Sequence, residues 1–409
     1  MTRQNNAAPK AGRMELDHII NRITGLDEGA AQEAHGRWAR VAKPLGSLGA
    51  LEQAVEHIAG IQGSAKVALA PRCVAVMCAD NGVVAEGVTQ TGADVTAKVA
   101  AQLACHSSSV CVMARVAHAE VRPFDMGMLH EVPGVPVRNA TRGTRSIAQG
   151  PAMSRTEAVE AVEAGADIAY DLADDGFRLV ATGEMGIGNT TTSAALACAL
   201  VGMTPEAAVG RGAGLDDEGL ARKVAVVRRA LEVNAPDADD PLDMLAKLGG
   251  FDIAGLVGLY LGCAAQRVPV VIDGFISSVA ALLACRIAPA SRAFMLASHR
   301  SAEPAATAVM GELGLSPIID AGMRLGEGTG AVCLFPLLDM ACALYRDGMT
   351  STTWTHTRSW VNDLPSVGPL GQRQERLGRG AGMRAGAKCI DRMGDGRGNA
   401  HQQRAPHPR

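Results

Sequence analysis

Aromatic residues are scarce in this chain, at 3% of its 409 positions. That shortage disfavours an all-β sandwich, which draws on aromatic cross-strand pairs, whereas abundant Gly and Ala suit helices packed closely on a sheet. An excess of positive charge is also missing. With a formal net charge of −3 there is no basic face to release counterions from a polyanion, so no nucleic-acid partner is expected. The ten cysteines include no C-x-x-C pair. This removes the common zinc and redox frameworks and leaves buried, reduced thiols as the expectation. No apolar signal-peptide core follows the polar start, Met1 to Gly12. The least charged stretches, 186–205 and 253–266, open with polar residues or are too short to span a bilayer. A cytoplasmic protein without membrane contact is expected. What the chain does have is 47% apolar residues, enough to bury a large core, and an α/β class follows from the composition.

From about residue 72 one pattern recurs: a short apolar or β-branched run, a polar or Gly-bearing turn, then a longer helical stretch, which is the βαβ signature. The runs lie at 73–79, 121–124, 179–182, 268–272, 294–297 and 317–319. Most lack the alternation of a half-exposed strand and read as parallel strands buried on both faces. The turns after them carry Asp80, Asp125, Glu184, Asp273, Ser298-His299 and the stretch from Asp320 to Glu327. Ligands of open α/β sheets bind beyond the carboxyl ends of the strands, so the site is expected there. Between the third and fourth runs, 190–267 reads as Ala- and Leu-rich helices with a loop at 234–241. Residues 14–61 read as helices around the turn KPLGSLG at 43–49, a small helical cap. Beyond Arg346 the composition shifts to Arg, Gly, Gln, Pro and His, and that tail reads as disordered.

The segment GEMGIGNTTTS, 183–193, follows a strand and opens a helix, so its amides and hydroxyls sit where a helix N-terminus favours phosphate. The structural alternative is packing and N-capping. It lacks the G-K-[ST] of a Walker loop and the third glycine of the dinucleotide fingerprint, which weakens a dehydrogenase reading. RLGEGTG, 324–330, holds Glu327 between glycines, where no neighbouring side chain screens it from a ligand, and makes it a candidate general base. Its structural alternative is to complement the positive end of the next helix. SHRSAE, 298–303, invites a Ser/His nucleophile, but without a G-x-S-x-G elbow a phosphate or ribose contact, or local capping, is preferred. In GRGAGLDDEGLARK, 210–223, Lys223 can reach an anion as a point charge or serve as solvated helix charge. Asp80 and Glu86 in ADNGVVAEGVT, 79–89, lack a third ligand. Turn formation is their default, and no metal is expected.

In order and wording, these segments, together with the DGF stretch at 273–275, resemble the nicotinate-nucleotide:dimethylbenzimidazole phosphoribosyltransferase family over about residues 14–346. The resemblance implies a Rossmann-like, six-stranded parallel sheet with flanking helices, a small helical domain built from both chain ends, and a homodimer. On that basis the chain divides into a flexible 1–13, a helical 14–70, an α/β catalytic domain 71–346 and a divergent tail 347–409. The implied reaction moves phosphoribose from nicotinate mononucleotide to a benzimidazole-type base without metal or cofactor, with Glu327 as catalytic base. Phosphate and ribose contacts fall on Glu184, Gly186, Lys223 and Ser301, with the phosphate anchored along Gly186, Gly188, Asn189 and Thr190. Met185, Ile187 and Leu325 would line the aromatic base. Two departures stand out: Asn81 where many members have His, and the tail beyond Arg346. Another lower-ligand base (a phenol, another benzimidazole or adenine) remains an alternative, as does a non-catalytic nucleotide-binding protein.

Overall fold

A computed structural model describes residues 14–350 apart from Ala140. The helices are α1 Leu16–Asn21, α2 Glu28–Arg40, α3 Ala50–Gln62, α4 Asp94–Ala104, α5 Ser109–Val116, α6 Arg155–Asp174 and α7 Asn189–Val201. They continue with α8 Pro205–Ala208, α9 Asp217–Asn234, α10 Pro241–Leu248, α11 Phe251–Ala265, α12 Phe275–Ile287, α13 Ala306–Leu313 and α14 Thr329–Asp347. The strands are β1 Arg72–Ala79, β2 Glu120–Gly127, β3 Leu179–Met185, β4 Val270–Ile272 and β5 Met295–Ala297.

All pairings are parallel, in the order β2-β1-β3-β4-β5. Successive side chains of a strand point to opposite faces, and β1 is buried throughout, so each face needs its own apolar cover. Cys73, Ala75, Met77 and Ala79 join the core formed with α6, α7 and α9–α13. Val74, Val76 and Cys78 join the second core, formed with α2–α5 and α14. Both faces are thus covered by helices, as a doubly wound α/β sheet requires.

The sheet has five strands among the described residues, not the six expected. The run 317–319 lies beside β5, where Ile319 makes a single parallel bridge to His299. Pro317 has no N–H to give a ladder, and the chain turns away after Arg300 N–H bonds to the Ile319 carbonyl at 2.8 Å. The loop expected at 234–241 separates α9 from α10, and the N-terminal helices flank the 43–49 turn as expected. The tail and the first thirteen residues fall, apart from residues 347–350, outside the described part.

α2 and α3 pack on each other, and α3 also packs on α14. Arg37 donates to the carbonyls of Tyr345 (2.7 Å) and Arg346 (2.6 Å), and the Trp38 and Tyr345 rings meet at 5.1 Å. By length and composition α14 could cross a bilayer, yet 56% of its apolar window is buried inside the protein. Of the nine described cysteines, six are buried and Cys105 is exposed, which corrects the expectation that all are buried; all nine are free. Burial pushes Cys198, Cys285 and Cys342 up to about 11, so these thiols stay protonated near neutrality.

A glycine seam joins α6 and α11. A Cβ on Gly165 would collide with the Gly255 carbonyl, one on Gly258 with the Val162 carbonyl, and one on Gly262 would lie 2.8 Å from the Ala166 carbonyl. The two backbones therefore approach as only glycine permits.

Candidate functional site

Strand order reverses between β1 and β3, and in such sheets the crevice at the carboxyl ends of those strands receives the ligand. A cavity of about 370 Å³ opens there. Its wall is built from the turn after β3, the start of α9, the segment after β5 and the turn into α14. The residues that the family resemblance assigns to the substrates all line it: Glu184 to Thr190 in one continuous stretch, Lys223, Ser301, Leu325 and Glu327.

The turn after β3 is set by close packing. A Cβ on Gly186 would sit 2.8 Å from the Ala79 carbonyl, so the turn can lie directly on the end of β1 only as glycine. Gly188, at φ +94°, is the N-cap of α7 and brings no side chain to cap it. Ile187 N–H donates to Thr96 Oγ1 of α4 at 3.1 Å, and Asn189 N–H to the Gly186 carbonyl at 3.0 Å. Beneath the turn, the Asn189 amide donates to both Glu184 Oε2 and Asp252 Oδ2, the latter at 2.9 Å. Burial pushes Glu184 up to about 8, with the charges of Asp252, Asp273 and Glu327 adding to it. Asp252 rises to about 6, again through burial. Two buried carboxyls sharing one amide donor cannot both ionise cheaply. Asn81 is 2% exposed and stands behind the turn, 2.8 Å from where a Gly186 Cβ would be, outside the cavity wall.

Lys223 comes from the second turn of α9 with only 1% of its surface exposed. Its Nζ donates to Thr190 Oγ1 at 2.8 Å and to the Gly210 carbonyl at 3.1 Å, which ties it to the first turn of α7. Burial lowers this amine to about 8, with the nearby charge of Glu303 acting the other way. A cation and a helix N-terminus without an acidic first turn thus meet in the wall of the cavity.

The turn into α14 is organised differently. Asp273 is fully buried, and its carboxylate accepts from Gly330 N–H (2.7 Å), Gly328 N–H (3.1 Å) and Ala331 N–H (3.1 Å). Burial raises this carboxyl from its ordinary value, although the neighbouring His299 opposes the rise. The positive end of α14 is therefore already filled by Asp273, and Glu327 does not serve it. Instead Glu327, at φ +60° between Gly326 and Gly328 in the same left-handed region, extends its Oε2 to Val110 N–H in the first turn of α5 at 3.2 Å. Gly183 of β3 makes room beneath: a Cβ there would lie 2.5 Å from the Glu327 carbonyl. A non-glycine residue held in this conformation is strained and must be fixed by its surroundings.

The remaining candidates resolve locally. Ser298 is buried, and its hydroxyl is engaged with the Ile272 carbonyl (2.6 Å), the Asp273 carbonyl (3.1 Å) and His299 Nδ1 (3.1 Å), so it holds β5 to β4 and is no nucleophile. Asp80 accepts from Leu129 N–H at 2.7 Å, and Glu86 from Ser146 Oγ at 2.6 Å and Gln149 at 2.8 Å; both tie loops together. Among the described residues no three His, Cys, Asp or Glu side chains group as a metal site would need. Sequence reasoning missed Asp252 and the Val110 amide. Asp252 had a signal, an acid opening the otherwise apolar helix α11. The amide had none, because a backbone donor is invisible without the fold.

A phosphoribosyltransferase family model matches residues 23–353. The chain is 46% identical over 309 residues, 75% of its length and 88% of the relative's, to nicotinate-nucleotide–dimethylbenzimidazole phosphoribosyltransferase of Acetivibrio thermocellus. It is 47% identical over 332 residues, 80% and 94% of the two lengths, to the protein of that name from a Roseiflexus species. A crystal structure of the same-named protein from Thermus thermophilus superposes with a TM-score of 0.75 at 38% identity, covering 81% of this chain and 99% of that one. With the parallel sheet and the two glycine turns around one cavity, these likenesses place the chain in the nicotinate-nucleotide–dimethylbenzimidazole phosphoribosyltransferase family.

Proposed function

We propose that the protein transfers the phosphoribosyl group of nicotinate mononucleotide to 5,6-dimethylbenzimidazole, giving α-ribazole 5′-phosphate and nicotinate for the nucleotide loop of cobalamin. The observation that carries this reading is what one cavity gathers in its wall: a buried cation tied to the open N-terminus of α7, and a glycine-flanked carboxylate. The phosphate rests on the turn Gly186–Thr190 with Lys223, and Glu184 and Ser301 meet the ribose. Met185, Ile187 and the half-exposed Leu325 flank the incoming base.

The chemistry asks little of the protein. Nicotinate leaves from a ring nitrogen that already carries positive charge, so its departure needs no acid. As one benzimidazole nitrogen attacks the anomeric carbon, the proton on the other becomes acidic, and Glu327 removes it. Attack on the face opposite nicotinate inverts the β-nucleotide to an α-riboside. Holding both flat rings against a fixed ribose supplies the positioning. Glu327 must exchange its bond to Val110 N–H for the proton of the base, a short swing within one loop.

The reading extends to a cytoplasmic homodimer in which residues 14–70 belong to a small helical domain. Incubation with nicotinate mononucleotide and dimethylbenzimidazole, followed by chromatography of the riboside phosphate, tests the reaction; no nicotinate release from a folded sample overturns it. Leu325 is 56% exposed and closes the base side only partly, which favours tolerance of other flat bases, and a panel including phenol and adenine reads that out directly.

A further inference from the structure

Glu303 has no part in the reaction as derived so far, yet it lines the same cavity. One oxygen of its carboxylate, Oε2, is buried without a hydrogen-bond partner. It presses on Gly210, where any Cβ would run into it. The carbonyl of that same Gly210 accepts from Lys223 Nζ, so carboxylate and ammonium flank one peptide unit. A buried ammonium whose hydrogen-bond partners, Thr190 Oγ1 and the Gly210 carbonyl, are both neutral is costly to keep charged.

The other charged groups around Lys223 are occupied elsewhere. On its own helix, Arg222 pairs with Glu218, and Asp216 caps Gly219 N–H. Helix α7 brings no charged residue, Glu206 of α8 pairs with Arg228, and Asp243 of α10 pairs with Lys247. Arg211 pairs with Asp217, Arg300 with Asp320, and Arg324 donates to the Gly212 carbonyl at 3.2 Å. Of the cavity's other carboxylates, Glu184 is held by Asn189, Asp273 by the start of α14 and Glu327 by Val110.

We propose that Glu303 is a positioning residue for the phosphate of the donor: its carboxylate keeps Lys223 cationic inside the cavity wall, and so holds the anion site in its binding form. This rests on the reading of Lys223 as a phosphate ligand. The amine, already lowered to about 8 by burial with Glu303 opposing, would fall further without that carboxylate. Its charged fraction then drops on the alkaline side while the acidic side is left almost unchanged. The consequence is a pH-dependent loss, which a purely structural role of Glu303 would not produce.

Calorimetric titration of inorganic phosphate into wild-type protein and Glu303→Gln tests this at two pH values. Taking about one pKa unit for the lost charge, the variant binds roughly eightfold more weakly than wild type near pH ~8.5 and within about twofold near pH ~6.5. Glu303→Asp, which keeps the charge, restores the wild-type ratio and controls for folding. An equal Glu303→Gln ratio at both pH values, or the same alkaline weakening in Glu303→Asp, overturns the proposal. Failure of the donor reading shows differently, as wild-type protein that binds phosphate but not nicotinate mononucleotide.

Discussion

The turns that open α7 and α14 look alike in sequence and are opposite in electrostatic surroundings. Each has an N-cap glycine in the left-handed region, Gly188 at φ +94° and Gly328 at φ +95°, followed by a small polar residue and a buried apolar helix. Under α14 the buried Asp273 consumes the amides of the first turn, so that helix end is electrically closed and can only present a side chain, Glu327. Under α7 the acids turn away, since Asn189 takes Glu184 and Asp252 beneath the loop, and Lys223 adds a positive charge above it. A glycine-rich turn is thus not a function in itself. What lies behind it decides whether it offers an anion site or a base.

Four substitutions probe that difference, from the largest expected effect to the smallest. Glu327→Gln should lower kcat by about 10²- to 10⁴-fold, the usual worth of a positioned general base, with donor binding by calorimetry little changed. Near-normal turnover would remove Glu327 from the mechanism. Asp273→Asn turns one acceptor into a donor facing amide N–H groups. It should cost about 1–3 kcal/mol of stability and, by loosening the Glu327 turn, reduce kcat by about 100-fold with KM nearly unchanged. An intact kcat in a destabilised protein would show that Asp273 supports the helix alone.

Lys223→Met should raise the donor KM by about 10- to 100-fold, as expected for a lost hydrogen bond to a charged group, with a smaller change in kcat. A kcat effect without a KM effect would move Lys223 away from the phosphate. The mildest test concerns Glu184. Its carboxyl, raised from 4.5 to about 8, binds a proton in the folded protein that the unfolded chain has already released. Stability from this group is therefore full below about pH 4.5 and is lost as pH rises to about 8. Glu184→Gln should flatten that part of the dependence of Tm on pH; an unchanged slope would mean that the carboxyl titrates normally.

Much of this arrangement was legible in the sequence because it rests on local rules. The buried strands showed as apolar runs without alternation, and the turns after them showed as Gly, Asp and Glu where a parallel sheet exposes its carboxyl ends. Residue 317 misled the strand count: its proline sits in an apolar run that reads as a strand, but ladder bonds depend on a neighbour the sequence does not reveal. Glu327 was legible as a glycine-flanked carboxylate, whereas its hydrogen-bond partner was not. The next helix in sequence was the nearest positive end, but the fold brings α5, more than two hundred residues earlier, within hydrogen-bond reach. Asp273 was noted as a turn residue, and its three amide bonds became visible only when the start of α14 was placed beside the end of β4. Cys105 departed from the expectation for cysteine for a similar reason, since its place at the end of α4 is exposed whatever its intrinsic preference for the interior.

The glycine seam between α6 and α11 bears on the cavity from a distance. Asp252, the acid beneath the Gly186 turn, stands at the head of α11, and further along Gly255, Gly258 and Gly262 bring the backbone of that helix directly against α6. Such a joint has no slack. A displacement at Gly258, less than two turns along, would pass undamped to the floor under Gly186, so the joint works as a fixed datum from which the geometry of the site is measured. A residue far from any ligand can then set the tolerance with which a phosphate is placed.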